Sequence, residues 1–429
     1  MIFAADFHIH SRYSRATSPR MDLENLEKWA KIKGITVLGS GDFTHPLWFK
    51  ELKDKLEPAE SGLFKLKSSI AGNGGSKNYF GSGEVRFILT GEISCIYSKN
   101  NKVRKVHLVI FAPSFETVEK INVYLGWIGN LKADGRPILG LDAKEAVKTV
   151  LNCSPDCLVV PAHVWTPWFS VFGSKSGFDS IEECFEEYSP EIKAIETGLS
   201  SSPDMNWRLS ALDKITLISN SDSHSPEKIG REANVFDCGL NYQEIIKTIK
   251  EKDRSKFLYT IEFFPEEGKY HYDGHRLCNI SLGPEESKKG NYICPVCKKQ
   301  LTIGVLSRVN ELADRPIGFK PENAIPFKSL VSLEEIIAEA LGQTTVSKQV
   351  SLEYDNLIRN FNSELDVLIN VSLSDIAAVA KPEIIEGISC VREGKVKVEP
   401  GYDGVYGKVN VSTDKKAAAG KVLTQKQLF

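Results

Sequence analysis

Short apolar runs that end in ionisable residues recur through the first 265 positions, with helix-like stretches between them. Ile2-Phe3-Ala4-Ala5 leads into Asp6-Phe7-His8-Ile9-His10, and Thr216-Leu217-Ile218-Ser219 leads into Asp222-Ser223-His224. Side chains two apart in a strand share a face, so His8 pairs with His10 and Asp222 with His224. After the first pair, the spacing of Leu23, Leu26, Trp29, Ala30 and Ile32 predicts a helix over 22–33 that Gly34 stops. Residues 35–40 read as the next strand and deliver Asp42 and His45. Residues 87–89 lead to Glu92, 106–111 carry His107, 158–162 end in His163, and 192–195 end in Glu196. A single His-x-His is usually a packing or surface feature. Two ligand pairs closing apolar strands, far apart in sequence, read as two walls of one metal site.

The recurrence also selects a fold. In an α/β barrel the strand ends converge on one rim, where active sites are built. An open doubly wound sheet would gather its ligands at one switch point instead. The expectation is a barrel, interrupted by a Gly- and Ser-rich loop over 68–83.

Composition narrows the setting. The chain has 429 residues and a net charge of −2, so it does not coat nucleic acid by bulk charge, although a local basic groove is compatible with that total. It enters a strand at once, without a charged leader, and no apolar run approaches the ~20 residues of a membrane span. A soluble, cytoplasmic protein without a membrane partner is expected. Nine cysteines, scattered early and clustered later, fit reduced thiols and one metal site.

That cluster begins after residue 265. Cys294 and Cys297 form a knuckle, and His275 with Cys278 repeats the two-residue gap, with His271 as the other choice of fourth ligand. Four such ligands describe a structural zinc site in a module too small for a large core. Helical patterns follow over 333–341 and 354–361. Residues 385–392 and 395–398 read as two strands joined by Glu393-Gly394. The expected domains are a barrel over 1–265, a zinc module over 266–310, a helical DNA-binding domain over 311–412 and a flexible tail over 413–429. The tail ends in Gln425-Lys426-Gln427-Leu428-Phe429, similar to the start of a sliding-clamp-binding motif.

The loop after His163 holds Trp165, Trp168, Phe169 and Phe172, which either stack on bases or form a small satellite core. Ser200 and Ser201 lie in a polar loop on the same rim. Arg12 and Arg15 either hold a substrate phosphate or are solvated. Mixed imidazole and carboxylate donors suit Zn, Mn or Fe, and Glu92 is able to bridge two ions. Metal makes hydroxide available near neutral pH, so phosphate-ester hydrolysis needs no serine or cysteine nucleophile.

The order of these motifs resembles the PHP (polymerase and histidinol phosphatase) metallophosphoesterases. The resemblance implies a distorted seven-stranded (β/α)7 barrel with His8, His10, His45, Glu92, His107, His163, Asp222 and His224 as metal ligands. From the loop that reads Asp42-Phe43-Thr44-His45, either Asp42 or His45 is the ligand. Two or three divalent ions (Zn, Mn or Mg) are implied, with His8, His10, Glu92 and Asp222 catalytic, besides one structural Zn. With the Cys-Pro-Val-Cys module and the helical C-terminal part, the whole chain is similar to the endonuclease Q family. That resemblance implies a prokaryotic, nucleoid-associated DNA repair endonuclease acting on double- or single-stranded DNA. It would nick 5′ of uracil, hypoxanthine, xanthine or an abasic site and leave a 3′-hydroxyl and a 5′-phosphate. The alternatives are a small-molecule phosphatase like histidinol phosphatase, and a degenerate barrel that serves as a binding platform.

Overall fold

The computed structural model describes residues 1–67, 83–411 and, for the backbone alone, 421–423. Most of the expected Gly- and Ser-rich loop, and the Gln425–Phe429 motif, lie outside the described residues.

Seven strands make the barrel: β1 (Ile2–Asp6), β2 (Ile35–Gly39), β3 (Arg86–Lys99), β4 (Lys102–Ala112), β5 (Leu158–Pro161), β6 (Ala194–Glu196) and β7 (Thr216–Ile218). β1, β2 and β3 run parallel, and so do β6 and β7. β4 runs against both β3 and β5, which is the distortion of the barrel. The β5 end reaches β6 through Val164 N, which donates to the Glu196 carbonyl at 3.2 Å. The ring closes through the loops after β7 and β1, where His10 N donates to the Ser223 carbonyl at 2.9 Å and Ile9 bridges Ser223. Closure is therefore made by the two segments that carry the paired ligands.

Alternation explains how β1 serves two layers. Phe3, Ala5 and Phe7 join Val37, Ile88, Phe111 and Val160 in one apolar cluster, while Ala4 joins the cluster packed against the outer helices. The helix Leu23–Lys33 starts where Asp22 accepts from Asn25 N and stops at left-handed Gly34 (φ 89°), as its sequence predicts.

Three further strands extend the sheet beyond the barrel. β8 (Ala233–Asp237) lies antiparallel to β1, β9 (Phe257–Glu262) antiparallel to β8, and β10 (Phe327–Ser329) parallel to β9. The sheet therefore ends on a strand that follows the zinc module in sequence. A buried polar link ties the helical part to the barrel. Lys33 pairs with Glu364, which also accepts from Tyr354 Oη at 2.6 Å and from Leu333 N at 3.1 Å.

The C-terminal part is mainly helical, with Leu333–Ala340, Lys348–Phe361 and Pro382–Arg392. The last of these corrects the strand expected over 385–392. Its β-branched content suggests a strand, but Ile384, Ile388 and Val391 recur at helical spacing and are buried together, and Pro382 opens the helix. The strand expected at 395–398 is present as Val396–Glu399, and the backbone of Lys421–Leu423, within the expected tail, pairs with it. Among the described residues, no helix is long and apolar enough to cross a membrane.

Candidate metal centre

At the rim, Glu92 faces two sets of donors. Its Oε2 lies 3.4 Å from His8 Nε2 and 3.3 Å from His10 Nε2, and His10 Nε2 lies 3.0 Å from Asp222 Oδ1. Its Oε1 lies 2.7 Å from His107 Nδ1 and 3.3 Å from His163 Nε2. The ligand atoms of His8, His10, Glu92 and Asp222 all fall within 4.8 Å of one another, as do those of Glu92, His107 and His163. Buried His8 Nε2 has no hydrogen-bond partner, and His107 Nδ1 and His163 Nε2 sit 3.3 Å apart. An unpartnered imidazole nitrogen and two imidazoles nose to nose, gathered on one carboxylate, fit divalent cations.

A second layer of carboxylates aims these imidazoles. Both oxygens of Glu196 lie 3.0 Å from His8 Nδ1, and Asp42 Oδ1 lies 3.0 Å from His10 Nδ1. A carboxylate only accepts, so Nδ1 carries the proton and Nε2 is turned into the site. Asp42 Oδ2 in turn accepts from Ser11 N, Ser11 Oγ and Ser14 Oγ at 2.6, 2.6 and 2.9 Å. Asp42, read as a ligand from sequence, thus orients a ligand instead. Glu196, seen in sequence only as another strand end, holds His8 and also accepts from His163 N and Asn220 Nδ2.

Charge is balanced within the cluster. Burial disfavours a charged imidazole at His8, but Glu196 and Glu92 outweigh it and hold the pKa well above the usual value. His10 is raised in the same way by Asp42 and Asp222. Burial pushes Glu92 up, yet His107, Arg136 and His8 hold it well below the carboxylate range. His107 is pushed down to about 4 by burial, against the pull of Glu92. A cation that enters replaces imidazole protons, so binding is linked to pH. The backbone is strained at the same places, since Asp42 (φ 44°), His163 (φ 31°) and Asp222 (φ 47°) are all left-handed without being glycine.

Other expected members stand apart. His45 stacks on Tyr13 at 4.5 Å, begins the helix Pro46–Lys55 and joins neither donor set. His224 lies 4.4 Å from the His10 ring with Nδ1 on the Asp222 carbonyl at 2.9 Å, also outside both sets. Arg12 is spent on Glu51, and Arg15 lies largely in solvent beside Asp134. Trp165 belongs to the core: it is 1% exposed, donates to Asn206 Oδ1 and packs on Phe172, so no base reaches its face. Ser201 is likewise buried, donating to the Thr197 carbonyl. Ser200 is half-buried. Trp168 is exposed and meets Tyr270 edge-on at 5.6 Å, while Phe169 lies 4.7 Å from the His107 ring. Arg136, which the sequence reading missed, donates from Nη1 to Glu92 Oε2 at 3.1 Å. In the zinc module His275, Cys278, Cys294 and Cys297 converge, and His271 is buried against Tyr272 away from them.

Donors of this kind at the rim of an α/β barrel define a metal-dependent hydrolase. The crystal structure of the lesion-specific endonuclease PfuEndoQ from Pyrococcus furiosus superposes with a TM-score of 0.83 at 31% identity, covering 97% of this chain and 98% of that one. The chain belongs to the endonuclease Q family of endonucleases. A structure of endonuclease Q in complex with a 27-mer duplex substrate carrying an abasic lesion at the active site matches with a TM-score of 0.82, at 31% identity and over 96% and 97% of the two chains. Residues 332–395 match the family model described as the MJ0043 C-terminal domain. The uncharacterized protein MJ0043 of Methanocaldococcus jannaschii is 33% identical over 259 residues, 58% of this chain, and the chain spans 32% of that protein's length.

Proposed function

We propose that the protein is a DNA repair endonuclease that hydrolyses one phosphodiester 5′ of a deaminated base or an abasic site in duplex DNA. It leaves a 3′-hydroxyl and a 5′-phosphate and acts in the cytoplasm on the nucleoid. The observation that carries this reading is the near-complete match, at TM-score 0.82, to an endonuclease Q bound to duplex carrying an abasic lesion at the active site. His8, His10, Glu92 and Asp222 would hold one divalent ion, and Glu92, His107 and His163 a second, drawn from Zn, Mn or Mg. Such ions supply Lewis acidity and an activated water near neutral pH.

The chain's own groups then divide the work. Glu196 and Asp42 keep the Nε2 atoms of His8 and His10 aimed inward, so the site is built before substrate arrives. Asp222 and His224 are the more open members, with 26% and 31% of their side chains exposed, and they face the substrate. The Asp222 carbonyl accepts a hydrogen bond from His224 Nδ1–H, which leaves the Nε2 lone pair free to ligate or to accept a proton. His275, Cys278, Cys294 and Cys297 would hold a structural Zn that keeps the small module folded.

A base inside a duplex is out of reach of a pocket, and extruding it costs a few kcal/mol, less for a mispaired or missing base. Trp168, exposed in the loop after His163, would stack on an extruded base or fill its gap, and Phe169, packed on the His107 ring, and half-buried Ser200 would line the same approach. The test uses end-labelled duplexes with uracil, hypoxanthine, an abasic site or no lesion, each with Mg, Mn or Zn. One nick 5′ of each lesion and little cutting of the control is expected. Equal cutting of all four indicates a nonspecific nuclease, and activity on a small phosphomonoester alone indicates a phosphatase.

A further inference from the structure

Arg136 is held beside Glu92 by a loop with little freedom. Tyr13 O accepts from Gly135 N at 3.0 Å, Thr44 Oγ1 donates to Gly135 O at 3.1 Å, and Arg136 N donates to Asp134 Oδ1 at 3.2 Å. Ser94 N donates to Pro137 O at 3.0 Å, so the chain is pinned on both sides of Arg136. Gly135 leaves no space for a side chain, because a Cβ there would lie 2.2 Å from Asp42 Oδ2 and 2.3 Å from Ser14 Oγ. The loop is thus pressed onto the carboxylate that orients His10. Arg15 shares Asp134 with this loop, through its backbone N at 3.3 Å and its Nε at 3.3 Å, but its side chain is 76% exposed.

We propose that Arg136 is a phosphate-binding residue whose guanidinium takes a non-bridging oxygen of the scissile phosphate ester. Its side chain is 27% exposed at the mouth of the site, and among the described residues its guanidinium donates only to Glu92. A guanidinium has five N–H donors, so most of the fork remains available to a planar-matched anion. Glu92 Oε2 is also the oxygen faced by His8 and His10, so Arg136 shares that oxygen with the donor set that would hold an ion. Glu92 belongs to both donor sets that would hold ions, and bound cations would compete with Arg136 for its carboxylate, leaving the guanidinium available to an anion. Arg12 has its Nη2 on both oxygens of Glu51, and Arg231 has its Nε and Nη2 on the Ser221 carbonyl.

The proposal rests on the phosphoesterase chemistry of the function proposed above, not on its lesion preference. The experiment titrates inorganic phosphate calorimetrically into the Mn- or Zn-loaded protein and its Arg136→Ala and Arg136→Lys variants, with metal content measured on the same samples. Alanine should weaken phosphate binding about 10- to 100-fold, the scale of a lost hydrogen bond between charged groups. Metal content should stay unchanged, and lysine should recover part of the affinity. Equal phosphate affinity in parent and alanine variant overturns the proposal, as does a loss seen only where metal has been lost. A parent that binds phosphate through Arg136 yet nicks no lesion duplex supports this site and overturns the lesion reading.

Discussion

Both oxygens of Glu196 lie 3.0 Å from His8 Nδ1, and that contact decides which nitrogen of His8 faces Glu92 and Asp222. Glu196 also accepts from His163 N at 3.1 Å and from Asn220 Nδ2 at 2.8 Å. A glutamine in its place must turn its NH2 against one of these donors or abandon His8. Glu196→Gln should therefore lower metal affinity about 10- to 100-fold while the protein remains folded. Competition with a fluorescent chelator measures this, and an affinity equal to the parent's would show that His8 does not depend on Glu196.

Asp222→Asn retains the shape of the side chain and removes its charge. Residue 222 has φ 47°, a conformation asparagine accepts as readily as aspartate, so the melting temperature should hold. Nicking of an abasic duplex should fall about 100-fold or more. Parental turnover in saturating Mn would remove Asp222 from the centre.

The zinc module tests separately from the barrel. Cys294→Ser should cost about one zinc per chain by elemental analysis and raise hydrogen exchange across residues 273–303, because metal and fold are linked in so small a unit. Exchange in β1 to β7 should stay as in the parent. Unchanged zinc content would sink the assignment.

Buried Glu262 gives a pH signature. Burial pushes it up to about 8, from a usual value of 4.5, despite hydrogen bonds from Thr260, Thr197 and Ser219. The folded state thus prefers the neutral acid. Its stabilising contribution is complete below the unfolded value near 4.5 and declines as pH rises toward 8. Glu262→Gln does not ionise, so its melting temperature should gain on the parent's between pH 5 and pH 8. A difference that stays constant over that range would refute the assignment.

The donors were legible because strands announce themselves by apolar runs, and His8, His10, His163 and Asp222 stand just past such runs, whereas Glu92, expected where a short run ends, lies in the middle of the long strand Arg86–Lys99. What orients them was not. Asp42 and Glu196 have the same residue types as ligands, and only tertiary distance separates a carboxylate on a metal from one on an imidazole. Trp165 and Trp168 are three apart in one loop, yet one is buried and the other exposed, a distinction that spacing does not carry. Arg136 hides in a polar connection after the helix Phe115–Ile128, and nothing local marks its approach to Glu92. The turn at Glu393-Gly394 suggests a hairpin, but the three-to-four spacing of Ile384, Ile388 and Val391 marks the residues before it as the helix Pro382–Arg392.

The pairing of β10 with β9 bears on how the chain is made. When β9 leaves the ribosome, one of its edges has no partner, and that edge waits until residues 327–329 have followed. Earlier segments fold first during synthesis, and an open strand edge invites pairing with another chain. A message cut or a ribosome stalled between residues 262 and 327 would release a product prone to clumping rather than one that is merely inactive.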